Sequence, residues 1–384
     1  MNFKLFFKKI LGSRYRKFVN FFRTLFWLFP VITTLFLKVK NKKRLLIIYD
    51  LTTQPFSIGD ILTVQEASLV LKENCQVDLI DFAIVCDQDV LKKSSIFFKK
   101  INSDNYFFYL SSILPVTQVN PFLGSIHAFN SYEQLNTYIS ANYDDVKIWP
   151  SGWRVKITRE YLYYTIFEDL LYPYFLKMGR VPKLSSRKPL EIWAKNFYQK
   201  YAGGDLPVTV NIRNNQFFQK SRNVNIDIWI DFFKYAEKNY RVKFFVICAL
   251  SEIDDRLKLM PNVVVIKDWN TNIEQDLALI DLSAIHLGAA SGPASMAFFS
   301  DKPYLIVKGE MHLQHFSNKN LIKYSKENIQ QFVFANKNQR FLRGEESLDM
   351  LIENFNEIWE SFDRFNYFSG MSNMSNEEMP NWLR

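Results

Sequence analysis

The sequence predicts an α/β protein in which two Rossmann-like domains face a cleft, preceded by a basic amphipathic segment that associates with a membrane. Three observations carry that expectation. Short apolar runs alternate with helical stretches of ten or more residues, as in parallel sheets joined by crossover helices. A chain of 384 residues supplies about two globular units. Gly179 to Pro189, which contains Pro182 and two serines, interrupts the alternation as a linker. The predicted parts are the segment 1–44, an N-terminal α/β domain 45–180, a C-terminal α/β domain 181–345, an amphipathic helix 346–366 and a tail 367–384. With 48% hydrophobic and 23% charged residues, disordered, collagen-like and multi-span membrane classes are excluded.

The net charge of +9 is confined to the start of the chain. Residues 1–44 carry 12 Lys and Arg, and the first carboxylate is Asp50, which leaves 36 basic against 39 acidic side chains in residues 45–384. The body is therefore not basic, and nucleic acid is excluded as a partner. Phe3, Phe6, Phe7, Ile10 and Leu11 share one helical face with Lys4, Lys8 and Lys9 off it, the pattern of an interfacial helix. The uncharged run Thr24 to Leu37 is 14 residues long with Pro30 inside it, shorter than the roughly 20 residues of a span. Seven positive residues before it and five after it give no orientation preference. The expectation is peripheral attachment to the inner face of the cell membrane, in the cytoplasm. The same segment packed on the protein's own body is the alternative.

In the first domain, Leu45 to Tyr49 reads as a strand, Ile61 to Leu71 as a helix, Val77 to Val85 as a strand and Tyr106 to Leu110 as another. A helix over Ser131 to Ile139, a strand at Val146 to Trp149 and an aromatic helix from about Lys156 to Leu171, stopped near Pro173, complete it. The second domain reads as strands at Pro207 to Ile212, Val242 to Cys248, Val263 to Ile266, Ser283 to Leu287 and Pro303 to Val307. Helices fall at Asp227 to Lys238, Glu252 to Lys258, Ile273 to Leu279 and Ser291 to Phe299. Leu348, Leu351, Ile352, Phe355, Ile358, Trp359 and Phe362 form a final core-facing stripe.

Cys75, Cys86 and Cys248 are odd in number and scattered among apolar residues, so neither a disulfide framework nor a zinc site is expected. His312 and His315 lack companion ligands at a recognised metal spacing. Two other clusters carry more chemistry. The run Gly288, Ala289, Ala290, Ser291, Gly292, Pro293 turns from strand to helix with small residues and a hydroxyl, an arrangement that admits a diphosphate. Asn211, Arg213 and Asn214 close the strand starting at Pro207, where open α/β sheets bind ligands, and a guanidinium pairs bidentately with phosphate oxygens. Arg222 and Asn223 follow, a second cation and a capping amide before the helix containing Trp229.

On the segments VTVNIRNN, SRNVNIDIWIDFF and DLSAIHLGAASGPASMAFFSDKPYLIV, the sequence resembles bacterial glycosyltransferases of the GT-B architecture, particularly those with a fucosyltransferase-like second domain. The resemblance spans residues 207–307. It implies transfer of a sugar from a nucleotide sugar, used as co-substrate without metal or other cofactor, to a glycan acceptor in surface polysaccharide synthesis, and the membrane-associating segment makes a lipid-linked or lipopolysaccharide-type acceptor the expectation. It places the diphosphate on Arg213 and the donor over Ser291 and Gly292. Asn211, Asn214, Asn215 and Gln216 stand where the fucosyltransferase pattern has a His before the arginine and Arg-Gly-Asp after it. An inverting transferase also needs a base for the acceptor hydroxyl. Asp60, in the Ile58-Gly59-Asp60 loop after the first strand, is the candidate, with Asp50 and Glu66 behind it; a helix cap is its other reading. Asp87 and Asp89 form an Asp-x-Asp pair that suits a metal-dependent GT-A transferase. A pyruvyl transferase and a non-catalytic binder of nucleotide sugar or glycan are the remaining alternatives.

Overall fold

The run predicted at Leu45 to Tyr49 is β1 (Arg44–Asp50), and six of its seven residues are buried, as a central parallel strand requires. The computed structural model describes residues 43–52, 57–87, 106–142, 147–151, 153, 163–216, 219–309 and 316–372. The amphipathic segment before residue 43, Asp89, His312, His315 and the last residues of the tail lie outside these. Arg44–Arg384 forms one compact unit. β1 is joined by β2 (Leu79–Val85), β3 (Leu123–Phe129) and β4 (Lys147–Trp149) in a four-stranded sheet of order β3-β2-β1-β4, every pairing parallel. Helix α1 (Ile58–Cys75) follows β1 and packs on it, with Gly59 and Ile61 through Val70 all buried.

The aromatic run at Tyr106 is helical, α2 (Tyr106–Ile113), not the predicted strand. The place beside β2 is taken instead by β3, whose mixed LGSIHAF composition gave no sequence signal because an edge strand buries little. α3 (Tyr132–Asn142) follows β3. The aromatic helix extends past its predicted stop: α4 (Tyr163–Ile166) passes through a π turn, Phe167–Leu171, into α5 (Tyr172–Met178). In that turn the Tyr172 amide bonds Phe167 O, so Pro173 falls in a first turn where its missing N–H is not needed.

After a linker ending at Arg187 come α6 (Lys188–Tyr201), β5 (Leu206–Asn211), α7 (Ile226–Asn239), β6 (Val242–Ile247), β7 (Val263–Val265), α8 (Ile273–Leu282), β8 (Ile285–Ala289), α9 (Ser295–Phe298) and β9 (Tyr304–Val307). Three strands that the sequence did not reveal, β10 (Ile322–Lys326), β11 (Ile329–Phe332) and β12 (Gln339–Leu342), complete an eight-stranded sheet. Its order is β10-β11-β12-β9-β8-β5-β6-β7, parallel from β12 to β7 and antiparallel at β10 and β11. Helix α10 (Leu348–Ser361) buries Leu351, Phe355 and Ile358 as the stripe predicts. The chain then breaks at Phe362 and continues as α11 (Arg364–Ser372), so the residues assigned to the start of a loose tail are helical.

Both halves contribute to one hydrophobic cluster, which runs from Leu45 and Ile61 through Phe167 to Ala294, Phe298 and Phe332. Each sheet also reverses its strand order once. The chain leaves β1 towards β2 on one side and returns to β4 on the other; it leaves β5 towards β6 and returns to β8. Such reversals open crevices at the carboxyl ends of the flanking strands. The loops after β1, β5 and β8 are therefore where a ligand site belongs.

One core group resists this order. Glu66 on α1 is fully buried, and neither carboxylate oxygen has a hydrogen-bond partner among the described residues. Burial, with a smaller push from Glu73, raises its pKa well above 4.5. Burial of Glu66 thus favours its neutral form. Because the folded value lies above the unfolded one, its penalty is absent below about pH 4.5 and grows by roughly 1.4 kcal/mol per pH unit until the folded carboxyl ionises. Glu66→Gln is expected to gain stability over wild type as pH rises from 4.5 towards 8 in urea unfolding. Parallel stability curves for the two proteins would refute the assignment.

Candidate functional site

The site starts from a contact between two glycines. Ser57, not Asp60, caps α1: its Oγ accepts the Asp60 amide at 3.1 Å. That cap sets Gly59 against the turn after β8. A Cβ on Gly292 would meet Gly59 N and Ile58 Cβ at 3.0 Å, and one on Gly59 would meet Gly292 Cα at 3.3 Å. Backbone thus packs on backbone where the loop after β1 meets the loop after β8. On the β5 side, Gly288 has φ +128°, and a Cβ there would lie 2.3 Å from Asn211 O, so only glycine lets β8 pair with Asn211.

Asp60 stands in the first turn of α1, half-buried, beside this contact. Ser57 Oγ donates to its Oδ2 at 2.5 Å. Burial pushes the carboxyl up to about 6, while the Ser57 hydrogen bond and the Arg222 charge oppose the shift. Arg222 therefore acts on Asp60 from the second sheet. Tyr49, at the end of β1, is also close: burial first, then the Asp60 charge, raises its hydroxyl pKa. Asp50, the reserve base in the sequence reading, is engaged within the fold. It accepts from the Thr52 amide at 2.9 Å, Thr52 Oγ1 at 2.7 Å and the Tyr132 hydroxyl at 2.6 Å.

The loop after β5 is organised by Asn223. Its Oδ1 accepts from Arg213 Nη1 at 2.6 Å and from the Asn215 amide at 3.0 Å, and its Nδ2 donates to Asn215 O at 2.9 Å. The cap of α7 that the sequence placed on Asn223 is Asn225, which accepts the Asp227 amide. Arg213 is half-buried, and burial lowers its pKa against the pull of Glu252, yet a guanidinium remains cationic in that environment. Glu252, which the sequence reading passed over, accepts from the Asn214 amide at 3.1 Å and Asn215 Nδ2 at 3.0 Å. Its place five residues beyond β6, beside the other strand-end loops, is the signal that marks it.

Arg222 does not stand ready as a second diphosphate ligand. Its Nε donates to Ala290 O at 3.0 Å, Nη2 donates to the same oxygen, and Nη1 donates to Gln219 Oε1 at 2.5 Å. It braces the turn that carries Ser291. The helix predicted from Ser291 is shorter: α9 is a single turn from Ser295, preceded by a bend in which the Ser295 amide bonds Gly292 O and the Met296 amide bonds Pro293 O. A macrodipole at a helix end is thus absent from the anion argument, which rests on side chains. Ser291 supplies one: it is 9% exposed, and its Oγ has no hydrogen-bond partner among the described residues.

The Asp87 carboxylate of the Asp-x-Asp pair accepts the Tyr132 amide at 3.0 Å and so anchors the start of α3. Among the described residues no three His, Cys, Asp or Glu side chains are grouped to hold a metal. Cys86 and Cys248 are buried thiols outside any disulfide, with pKa values pushed up to about 12 by burial. His286 lies in the core near the amino end of β8, with Nδ1 3.0 Å from Thr209 Oγ1 and away from the carboxyl ends of the strands.

No protein-family model matches the sequence, and no curated protein matches it. Solved structures with a similar trace include a family 9 glycosyl transferase from Veillonella parvula, with 11% identity and a TM-score of 0.48 over 88% of this chain and 94% of that one. The E. coli ADP-heptose lps heptosyltransferase II gives 11% identity and 0.48 over 82% of this chain and 98% of that one. The fucosyltransferase NodZ from Bradyrhizobium gives 11% and 0.31 over 68% and 94%.

Gly292→Val tests the backbone contact. The added methyls must displace Ile58 or the α1 amides, which is expected to cost about 1–3 kcal/mol in denaturant unfolding. Gly370→Ala, where a Cβ meets nothing within 4 Å, serves as the control and is expected to be neutral or slightly stabilising.

Proposed function

We propose that the protein is a glycosyltransferase of the GT-B type that moves a sugar from a nucleotide-sugar donor to a glycan acceptor hydroxyl without a metal ion. The observation that carries this reading is a carboxyl with a pKa near 6, Asp60, placed against the turn of Ser291 and Gly292, with Arg213 at the next strand end. A base of that strength is ionised at neutral pH and strong enough to take a proton in the transition state. The donor diphosphate meets Arg213, the Ser291 hydroxyl and the loop ordered by Asn211, Asn214 and Asn223, with Pro293 shaping the turn below. Glu252 holds that loop in place.

In the reaction the acceptor oxygen attacks the anomeric carbon and its proton passes to Asp60. The bond from that carbon to the diphosphate oxygen breaks, and the electron pair leaves with the nucleotide diphosphate towards Arg213 and Ser291. Charge-assisted hydrogen bonds from a guanidinium strengthen as the leaving group gains charge, which is where they lower the barrier. Arg222 keeps Asp60 from rising further in pKa and so favours the ionised base. The acceptor in this reading is a lipid-linked or lipopolysaccharide-type glycan, reached at the inner face of the cell membrane through residues 1–44. Support for that part is the 12 Lys and Arg with no carboxylate in that segment. Among the described residues no helix is long and apolar enough to cross a membrane.

A screen of nucleotide sugars with purified protein in chelator tests donor class and metal dependence together. Turnover is expected with at least one donor, whereas binding without turnover or hydrolysis would sink the transferase reading. With the active donor, kcat/KM is expected to fall as pH drops through about 6, where Asp60 takes up its proton. Asp60→Asn is expected to cost roughly 10² to 10⁴ in turnover while donor binding survives. Arg213→Ala is expected to weaken donor binding by about 1.5–3 kcal/mol, read by calorimetry. A strict divalent-metal requirement would contradict this mechanism.

A further inference from the structure

The end of the first sheet opposite the site has its own chemistry. Arg44 pairs with Leu79 and Ile80 with Leu123, so the amino ends of β1, β2 and β3 lie together, with Phe122 just before β3. The last turn of α1 returns to the same end, where Lys72 Nζ sits 3.9 Å from the centroid of the Phe122 ring. Glu73 beside it pairs with Arg180 at 2.9 Å and accepts the Tyr174 hydroxyl, which brings in the end of α5. There Leu176 is 65% exposed and Met178 45%, and Phe122 is 42% exposed. Isolated exposed apolar side chains are ordinary. Here three share one end with Lys72 and Lys177, while Arg180 and Arg44 are paired with Glu73 and Asp81 and Asp78 is a further acid.

We propose that this end is a docking face for an anionic lipid surface, with Leu176, Met178 and Phe122 as apolar contacts and Lys72 and Lys177 as cations. The occupant is indicated by charge and by chain continuity: residues 1–43, with 11 further Lys and Arg and no carboxylate, join the unit at Arg44, on this same end. Cations worth about 1 kcal/mol each near an anionic bilayer, beside inserted apolar side chains, suit that surface. The inference rests on the membrane-associated transferase reading and deepens it. β1 separates this face from Asp60 by roughly 20 Å of strand, so a lipid-linked acceptor must carry a glycan long enough to cover that distance.

The test uses the full chain floated with phosphatidylcholine vesicles, with and without phosphatidylglycerol. Leu176→Asp combined with Met178→Asp, both at exposed positions, is expected to lower partition onto the anionic vesicles about tenfold. Hydrogen exchange of residues 172–180 in the wild type is expected to slow when those vesicles are added. Unchanged partition of the variant, or unchanged exchange in that segment, would mean that residues 1–43 carry attachment alone and would overturn the proposal. Transfer to a soluble glycan acceptor, measured on the same preparations, separates the two ideas. Normal turnover with unchanged partition removes only the docking face, and reduced partition of the variant without any wild-type turnover removes only the transferase.

Discussion

The approach of Gly59 to Gly292 is the constraint on which the rest of the site depends. Two parallel sheets can each open a crevice at a strand reversal, but the crevices become one site only if the loops that line them meet. Here they meet backbone to backbone, with Ile58 and Ser295 filling the edges of the contact. Any side chain on either glycine would hold α1 away from the turn after β8 and separate Asp60 from the groups that face it. The continuous apolar cluster behind the contact keeps this spacing rigid, because a close-packed interior yields little to small displacements.

Electrostatics then follows from position. Asp60 loses solvation because it stands beside that contact, and the penalty is moderated by Ser57 on its own helix and by Arg222 from the other sheet. Arg222 stays in place because three of its nitrogens are engaged by Ala290 O and Gln219, so its charge is a fixed feature of the cleft. Arg213 is oriented in the same manner by Asn223. Two arginines held by carbonyl oxygens and side-chain amides thus stand on the side of the second sheet, and one of them, Arg222, acts on the Asp60 carboxyl. Asp50 and Glu66 show the contrast. Asp50 accepts three hydrogen bonds from Thr52 and Tyr132, whereas Glu66 is fully buried with no hydrogen-bond partner among the described residues.

The central strands were legible because a strand buried on both faces is mostly apolar: β1, β5, β6, β8 and β9 read as apolar runs broken at most by single polar residues such as Thr209, Lys243 and His286. The positions of Arg213 and Ser291 just beyond strand ends followed from those runs. The misreadings lie where burial is partial or context decides. β3 and β10 are edge strands whose polar residues stay partly or fully exposed, β11 buries two glutamines that read as polar in sequence, and Tyr106 to Ile113 has the aromatic content of a strand but lies where the sheet has no vacancy beside β2.

The sequence by itself determined the alternation of strands and helices, the small-residue turn after β8, the arginine after β5 and the concentration of positive charge before Arg44, because each is a local property of residue type and spacing. Only the tertiary structure decided which carboxyl stands beside the Gly59–Gly292 contact, that Arg222 braces a turn, that Glu252 orders the Asn214 loop and that Ser57 caps α1. Those roles depend on distances between residues far apart in the chain and on the water removed around them. No local pattern encodes either quantity.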